Sequence, residues 1–383
     1  MSPPAQNLPP VTVLCGFLGA GKTTLLRHLL GQAAGKKWAA IVNDVAALNI
    51  DAQLVAEAGA GKVIGLGNGC VCCSVRDELA ETIAELAATG SYDHIFVETT
   101  GVAEPRAIAN LFIRRNAFGR NLAAFAQLQA LVTVVDAPAF LAQWAARPAE
   151  PPPGRIKAPL ELMVEQVETA DVLVLNKCDG VDAAGLARLE GILRGLNARA
   201  EIFRTEQGQL PAEVLLDRRR FDAQETLRAA RWIQVLGGGA ARPAVSPYLE
   251  AGQRPALPHE QDYGITSFVY EARRPFAQEK FLGMLRAGLP PELLRAKGFL
   301  WLQERPDDIG FLSIAGGQVR HDFIGTWVAA LRERGVITAA EIPEAARTKW
   351  QEPHGDRRQE LVFIGAGMDE PALRAALDGA LLA

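Results

Sequence analysis

The chain has 383 residues, enough for two or three domains and for a core that needs no covalent staples. Its 40 Lys and Arg face 44 Asp and Glu, a net charge of -4 with no long basic run, which argues against a nucleic-acid-binding protein. Asp136 interrupts the most apolar stretch, residues 130–141, and residues 1–10 lack the basic start of a secretory signal, so neither a membrane span nor secretion is expected.

In chain order, residues 11–15 predict a buried strand running straight into a glycine-rich turn. Residues 22–30 predict a helix with Leu25, Leu26, Leu29 and Leu30 at helical spacing. Strands are expected at 39–42, 63–66, 95–97, 131–135 and 172–175, with helices at 75–88 and 181–189. Such alternation predicts an α/β fold with a mostly parallel sheet covered on both faces. Ligands of such sheets bind outside the carboxyl ends of the strands.

Residues 148–154 form a proline-rich loop within this first domain, read as 1–236. Residues 237–262, rich in Gly and Pro, read as a linker. A smaller α+β domain is expected over 263–383. Its strands fall at 265–271, 298–303, 309–315 (closed by Gly316-Gly317) and 361–364, and its helices at 276–287, 322–333 and 371–382. The pattern suggests a split βαβ core.

Chemistry concentrates just after the strands. Gly16-Phe17-Leu18-Gly19-Ala20-Gly21-Lys22-Thr23 fits G-x-x-x-x-G-K-[ST], with an apolar strand before it and a helix after it. Gly16, Gly19, Ala20 and Gly21 let the backbone wrap phosphates, Lys22 reaches the β- and γ-phosphates, and Thr23, followed by Thr24, offers its hydroxyl to Mg²⁺. Glu98 ends an apolar strand where an acid would hold that ion, and Gly101, in Glu98-Thr99-Thr100-Gly101, is placed to offer its N–H to the γ-phosphate. No glutamine occupies an obvious switch position, so slow intrinsic hydrolysis, accelerated by a partner or by metal, is expected.

Asn176-Lys177-Cys178-Asp179 follows a late strand. A carboxylate at Asp179 accepts from the N1–H and exocyclic amine of guanine but meets a lone pair on adenine, so GTP is favoured over ATP. The Lys177 stem would lie along the purine, and Asn176 would brace neighbouring loops. The competing reading is that Asp179 caps the following helix.

Five cysteines are an odd number, and Cys70, Cys72 and Cys73 fall within four positions, so a disulfide framework is disfavoured and a cytoplasmic location expected. Thiolates are soft ligands suited to Zn²⁺, Cu(I) or iron–sulfur centres. Three sulfurs leave one tetrahedral position open, for which Asp44 is a candidate. The alternatives are a redox switch or small buried hydrophobes. Cys15 reads as a core residue, His94 as a surface one.

These motifs, in this order, resemble the CobW-like family of zinc-linked P-loop GTPase metallochaperones, also called zinc-regulated GTPase metalloprotein activators, relatives of the nickel-insertion GTPases. The match runs from the phosphate loop through Cys70-Val71-Cys72-Cys73, Glu98-Thr99-Thr100-Gly101 and Asn176-Lys177-Cys178-Asp179 to residues 295–301 and 359–365. The resemblance implies a GTPase that binds Zn²⁺ at Cys70, Cys72 and Cys73 and hands it to client metalloenzymes under nucleotide control, with a possible homodimer. It also leaves cobalt or another metal open. Two departures stand out: Ala47 replaces a glutamate common in the zinc-limitation branch, and the linker has only His259 instead of a histidine-rich stretch. A P-loop small-molecule kinase and a metal sensor or buffer without turnover are the alternatives.

Overall fold

The computed structural model describes residues 8–33, 35–43, 62–66, 74–113, 121–146, 159–223 and 265–382. Asp44, Cys70, Cys72 and Cys73 lie outside these residues, as do Ala47, His259, the 148–154 loop and the 237–262 linker. The chain divides into two units, one built from residues 1–143 and 161–230, the other from 144–160 and 231–383.

The first unit holds seven parallel strands: β1 (Pro10–Cys15), β2 (Trp38–Asn43), β3 (Lys62–Leu66), β4 (His94–Glu98), β5 (Gln127–Asp136), β6 (Val172–Asn176) and β7 (Glu201–Arg204). Their order across the sheet is β3-β2-β4-β1-β5-β6-β7. Its described helices are α1 (Lys22–Leu30), α2 (Ser74–Ala88), α3 (Pro105–Ile113), α4 (Ala137–Ala145), α5 (Pro159–Thr169), α6 (Ala183–Leu196) and α7 (Ala212–Leu216).

Two apolar layers explain why both faces of the strands read as hydrophobic. On one face Val11, Val13, Ile95 and Val97 pack with Leu79, Ile83 and Leu86 of α2 and Ile108 and Phe112 of α3. On the other, Leu14, Phe96, Val132 and Val174 pack with the four leucines of α1. Burying one such side chain contributes about 1.5–3 kcal/mol, so these layers fix the sheet and with it the positions of the strand ends.

Register then decides which loops meet. Leu14 lies opposite Glu98, so the end of β4 sits beside the loop after β1. Asp136 lies opposite Asn176, which sets the ends of β5 and β6 side by side.

In the second unit five strands form an antiparallel sheet: β8 (Ile265–Ala272), β9 (Leu293–Leu302), β10 (Arg305–Ala315), β11 (Gln318–Thr326) and β12 (Gln359–Ala366). The order is β11-β10-β9-β12-β8, so β12 enters between β8 and β9, the strands joined through α8 (Gln278–Ala287). This is the split βαβ arrangement the sequence suggests. Phe276, Phe281, Leu300 and Phe363 pack beneath with Leu373 and Leu377 of α11 (Glu370–Ala380). Short helices α9 (Val328–Glu333) and α10 (Glu344–Arg347) complete it.

The expected helix over 322–333 is half wrong. Residues up to Thr326 belong to β11, and only Val328–Glu333 is helical. β11 lies at the sheet edge with no fully buried residue, so its alternation is weak. Gly316 and Gly317 both take positive φ, 54° and 85°, between the paired Ala315 and Gln318, a two-residue hairpin turn that needs such conformations. The helix expected at 181–189 begins instead at Ala183. His94 is buried within β4 and is not a surface residue.

Candidate functional site

The phosphate loop follows β1 at the centre of the sheet. Gly16 has φ 139°, and a Cβ there would lie 2.3 Å from the Val134 carbonyl oxygen of β5. Gly21, the left-handed N-cap of α1 at φ 100°, would drive a Cβ to 2.2 Å from the Asn176 amide nitrogen. Only glycine tolerates both the conformation and the approach. Ala20 is buried, whereas Leu18 and Gly19 are exposed on the rim and Thr24 on the first turn of α1.

Lys22 is buried, and its ammonium donates to the carbonyls of Gly16 (2.9 Å) and Phe17 (3.2 Å), inside the curve of its own loop. Thr23 donates to Glu98 Oε1 at 2.6 Å. Glu98 is only 3% exposed, so a carboxylate and a hydroxyl, both hard oxygen ligands, meet where a small divalent cation is suited.

The segment after β4 is tied down on several sides. Thr99 donates to the Leu14 carbonyl from its backbone at 3.0 Å and from its hydroxyl at 3.2 Å. A turn closes by Ala103 N–H to Thr100 O at 3.1 Å. Gly101 abuts the phosphate loop so closely that a Cβ on it would lie 2.6 Å from the Leu18 backbone nitrogen. Behind it stands Gln166 of α5, a residue the sequence reading passed over. Its amide donates to the carbonyls of Gly101 (3.2 Å) and Ala103 (3.1 Å).

On the base side, Asn176 is buried and bridges two loops. Its Nδ2 donates to Ala20 O at 2.9 Å, and its Oδ1 accepts from Gly208 N–H at 3.0 Å. Lys177 takes a left-handed conformation, φ 60°, and its ammonium pairs with Asp136 Oδ2 at 2.6 Å. Asp136 Oδ1 also accepts from Ala139 N–H at 2.9 Å, at the start of α4. Asp179 is exposed in a 3-10 turn, Cys178–Gly180. The helix that follows is capped by Asp182, which accepts from Gly185 N–H at 2.7 Å, so the capping reading of Asp179 fails.

The loop after β7 also went unread. Thr205 N–H donates to Leu175 O at 2.7 Å, and Gln207 and Gly208 both have positive φ. A Cβ at Gly208 would lie 2.8 Å from Leu25 N, so this loop presses on the start of α1. Gly208, just past a short strand, was the available sequence signal for a turn.

Cys15 and Cys178 stand apart from metal chemistry. Burial pushes the Cys15 thiol up to about 12, although Thr99 and Lys22 act the other way. Burial also raises the Cys178 thiol, which donates to Leu175 O. Both thiols are buried. Among the described residues no group of three or more His, Cys, Asp or Glu is arranged to hold a metal ion. Nor is any described helix long and apolar enough to cross a membrane.

A phosphate loop at the centre of a parallel sheet, with Asn176-Lys177-Cys178-Asp179 two strands away, places the first unit in the class of P-loop GTPase domains. Residues 10–204 match the CobW/HypB/UreG nucleotide-binding domain, and residues 265–381 match the cobalamin synthesis protein cobW C-terminal domain. The chain belongs to the CobW family.

Its relatives include the zinc-regulated GTPase metalloprotein activator 1 of Dictyostelium discoideum, 32% identical over 97% of this chain and 80% of that protein. The zinc chaperone CobW of Pseudomonas aeruginosa is 39% identical over 54% of this chain and 59% of that protein. Among solved structures, the Zn(II)-bound YjiA GTPase from E. coli aligns over 98% of this chain and 100% of its own, at 22% identity and a TM-score of 0.42.

Proposed function

We propose that this protein is a GTP-hydrolysing metallochaperone that carries zinc on Cys70, Cys72 and Cys73, with Asp44 as fourth ligand, and hands it to client metalloenzymes in the cytoplasm. The observation that carries the nucleotide half is the contact between Thr23 and Glu98, which joins the phosphate loop to the end of β4. Relatives named as a zinc-regulated GTPase metalloprotein activator and a zinc chaperone support the metal half.

Gly16, Gly19, Ala20, Gly21 and Thr24 cradle the phosphates, and Lys22 exchanges its carbonyl partners for phosphate oxygens. Thr23 and Glu98 would hold Mg²⁺, which supplies charge stabilisation at the transferred phosphoryl group. Asp179 reads the guanine edge, Lys177 lies along the ring, and Asn176 fixes both loops. Gly101 reports the γ-phosphate from its place against Leu18. The zinc is cargo, bound or released as the nucleotide changes. Linkage makes that coupling reciprocal: zinc alters GTP affinity by the factor by which GTP alters zinc affinity. The second unit provides the docking or dimer surface.

The test is a Zn²⁺ titration with GDP, with a non-hydrolysable GTP analogue and with neither, in wild type and in a Cys70→Ser/Cys72→Ser variant. GTP hydrolysis is measured alongside against Lys22→Ala. Different zinc affinities in the three states, lost in the serine variant, are expected. Equal affinities would end the delivery reading and leave a GTPase.

A further inference from the structure

Gln166 is a buried polar side chain that the chemistry above does not use. It is 1% exposed on α5, between the buried Val164 and Val167 in sequence. Burying an amide is costly unless it is hydrogen-bonded. Its Nε2 spends its donors on the carbonyls of Gly101 and Ala103. Its own backbone carbonyl accepts from the Thr133 hydroxyl of β5 at 2.9 Å, so the helix that carries the amide is anchored to the sheet.

A trans peptide points its N–H opposite its C=O. Holding the carbonyls of Gly101 and Ala103 therefore also sets the directions of the N–H groups of Val102 and Glu104. The Ala103-to-Thr100 turn and the close approach of Gly101 to Leu18 complete the restraint. The glutamine thus holds the loop by its backbone.

We propose that Gln166 is the positioning residue that latches the loop after β4 in its triphosphate-sensing position, through its amide bonds to Gly101 and Ala103. This rests on the reading of Gly101 as the γ-phosphate reporter. The Gln166 Nε2 is committed to the two loop carbonyls. Its contribution is to the preference for GTP over GDP, without touching either nucleotide.

Equilibrium affinities for GDP and for a non-hydrolysable GTP analogue, both with Mg²⁺, are compared in wild type, Gln166→Leu, Gln166→Glu and Thr169→Val. Thr169→Val is the structural control: it removes a hydroxyl that bonds Glu165 O on the same helix, at 3.0 Å, and leaves the loop alone. Gln166→Leu is expected to lose about tenfold in analogue affinity, with GDP affinity within about twofold of wild type. Gln166→Glu is expected to match it at pH 8, where a carboxylate faces two carbonyls. Relative to wild type it regains affinity as the pH falls toward 5.5, because a protonated carboxyl donates to one of them. Thr169→Val keeps the wild-type ratio.

An unchanged ratio in Gln166→Leu, an equal shift in Thr169→Val, or a flat pH profile for Gln166→Glu overturns the latch. If Gln166→Leu fails to fold, the pH profile of Gln166→Glu decides alone. A wild type that binds both nucleotides equally overturns the sensing loop itself and the latch with it. A discriminating wild type with indifferent variants overturns the latch only.

Discussion

The Thr23 hydroxyl, in the first turn of α1, donates a 2.6 Å hydrogen bond to Glu98 Oε1 at the end of β4. The two residues are 75 positions apart in sequence, and the parallel pairing of β1 with β4 brings them together. Glu98→Gln keeps the shape and removes the charge. It is expected to lower kcat for GTP hydrolysis by roughly 10²-fold, the scale of losing one preorganised electrostatic contact, and to raise the Mg²⁺ concentration needed for half-maximal rate. Steady-state rates across a Mg²⁺ series check both. A variant with wild-type Mg²⁺ dependence would remove Glu98 from the ion's site.

Asp179 stands free of the helix cap, since Asp182 fills that role. Asp179→Ala is expected to cut the preference for GTP over ATP by up to ~10⁴, mostly through weaker GTP binding, while the fold survives. Competition of GDP and ADP for a fluorescent nucleotide measures this directly. Retention of full guanine preference would assign base selection elsewhere.

Asn176→Ala removes both bridges, to Ala20 and to Gly208, from a buried position. A loss of about 2–3 kcal/mol in stability is expected, because two buried backbone groups lose partners. The loss should appear as a lower midpoint in urea. GDP binding should weaken at the same time, because phosphate and base loops both lose their brace.

His94 makes stability fall with acid. Its ring lies within hydrogen-bond distance of Thr12 Oγ1, 2.9 Å, and against Phe96. Burial, with the Lys36 charge adding to it, pushes its pKa down to about 3 from an ordinary 6.5. The unfolded chain therefore binds a proton that the folded chain refuses. The associated stability is whole above pH 6.5 and drains as the pH falls toward 3, reaching about 2 kcal/mol lost near pH 5. Denaturant melts from pH 7.5 to 5 check this, and His94→Leu should flatten that part of the profile.

What could be read in the chain and what could not follows from where the information lies. The phosphate loop, Glu98, Gly101 and Asn176-Lys177-Cys178-Asp179 each stand at or just after a strand end, where local pattern puts them. The strands themselves are legible because Val13, Val97 and Val174 belong to runs buried on both faces. Gln166 looks like any helical glutamine until α5 is laid against the loop after β4. Asp136 gains its second bond only because β5 and β6 end in register. Residues 322–326 of β11 read as helix because an edge strand has solvent on one side and needs no strict alternation. The Cys70-Val71-Cys72-Cys73 cluster and Asp44 lie outside the described residues, so they rest on sequence.

The two-sided grip of one asparagine also bears on engineering. Asn176 belongs to the stretch proposed above to select the base, yet it fills the space a Gly21 side chain would need. A purine-recognition segment transplanted from another enzyme would arrive without that amide in place, and the triphosphate cradle would slacken along with it. Retargeting this protein to a different nucleobase therefore means redesigning both segments together.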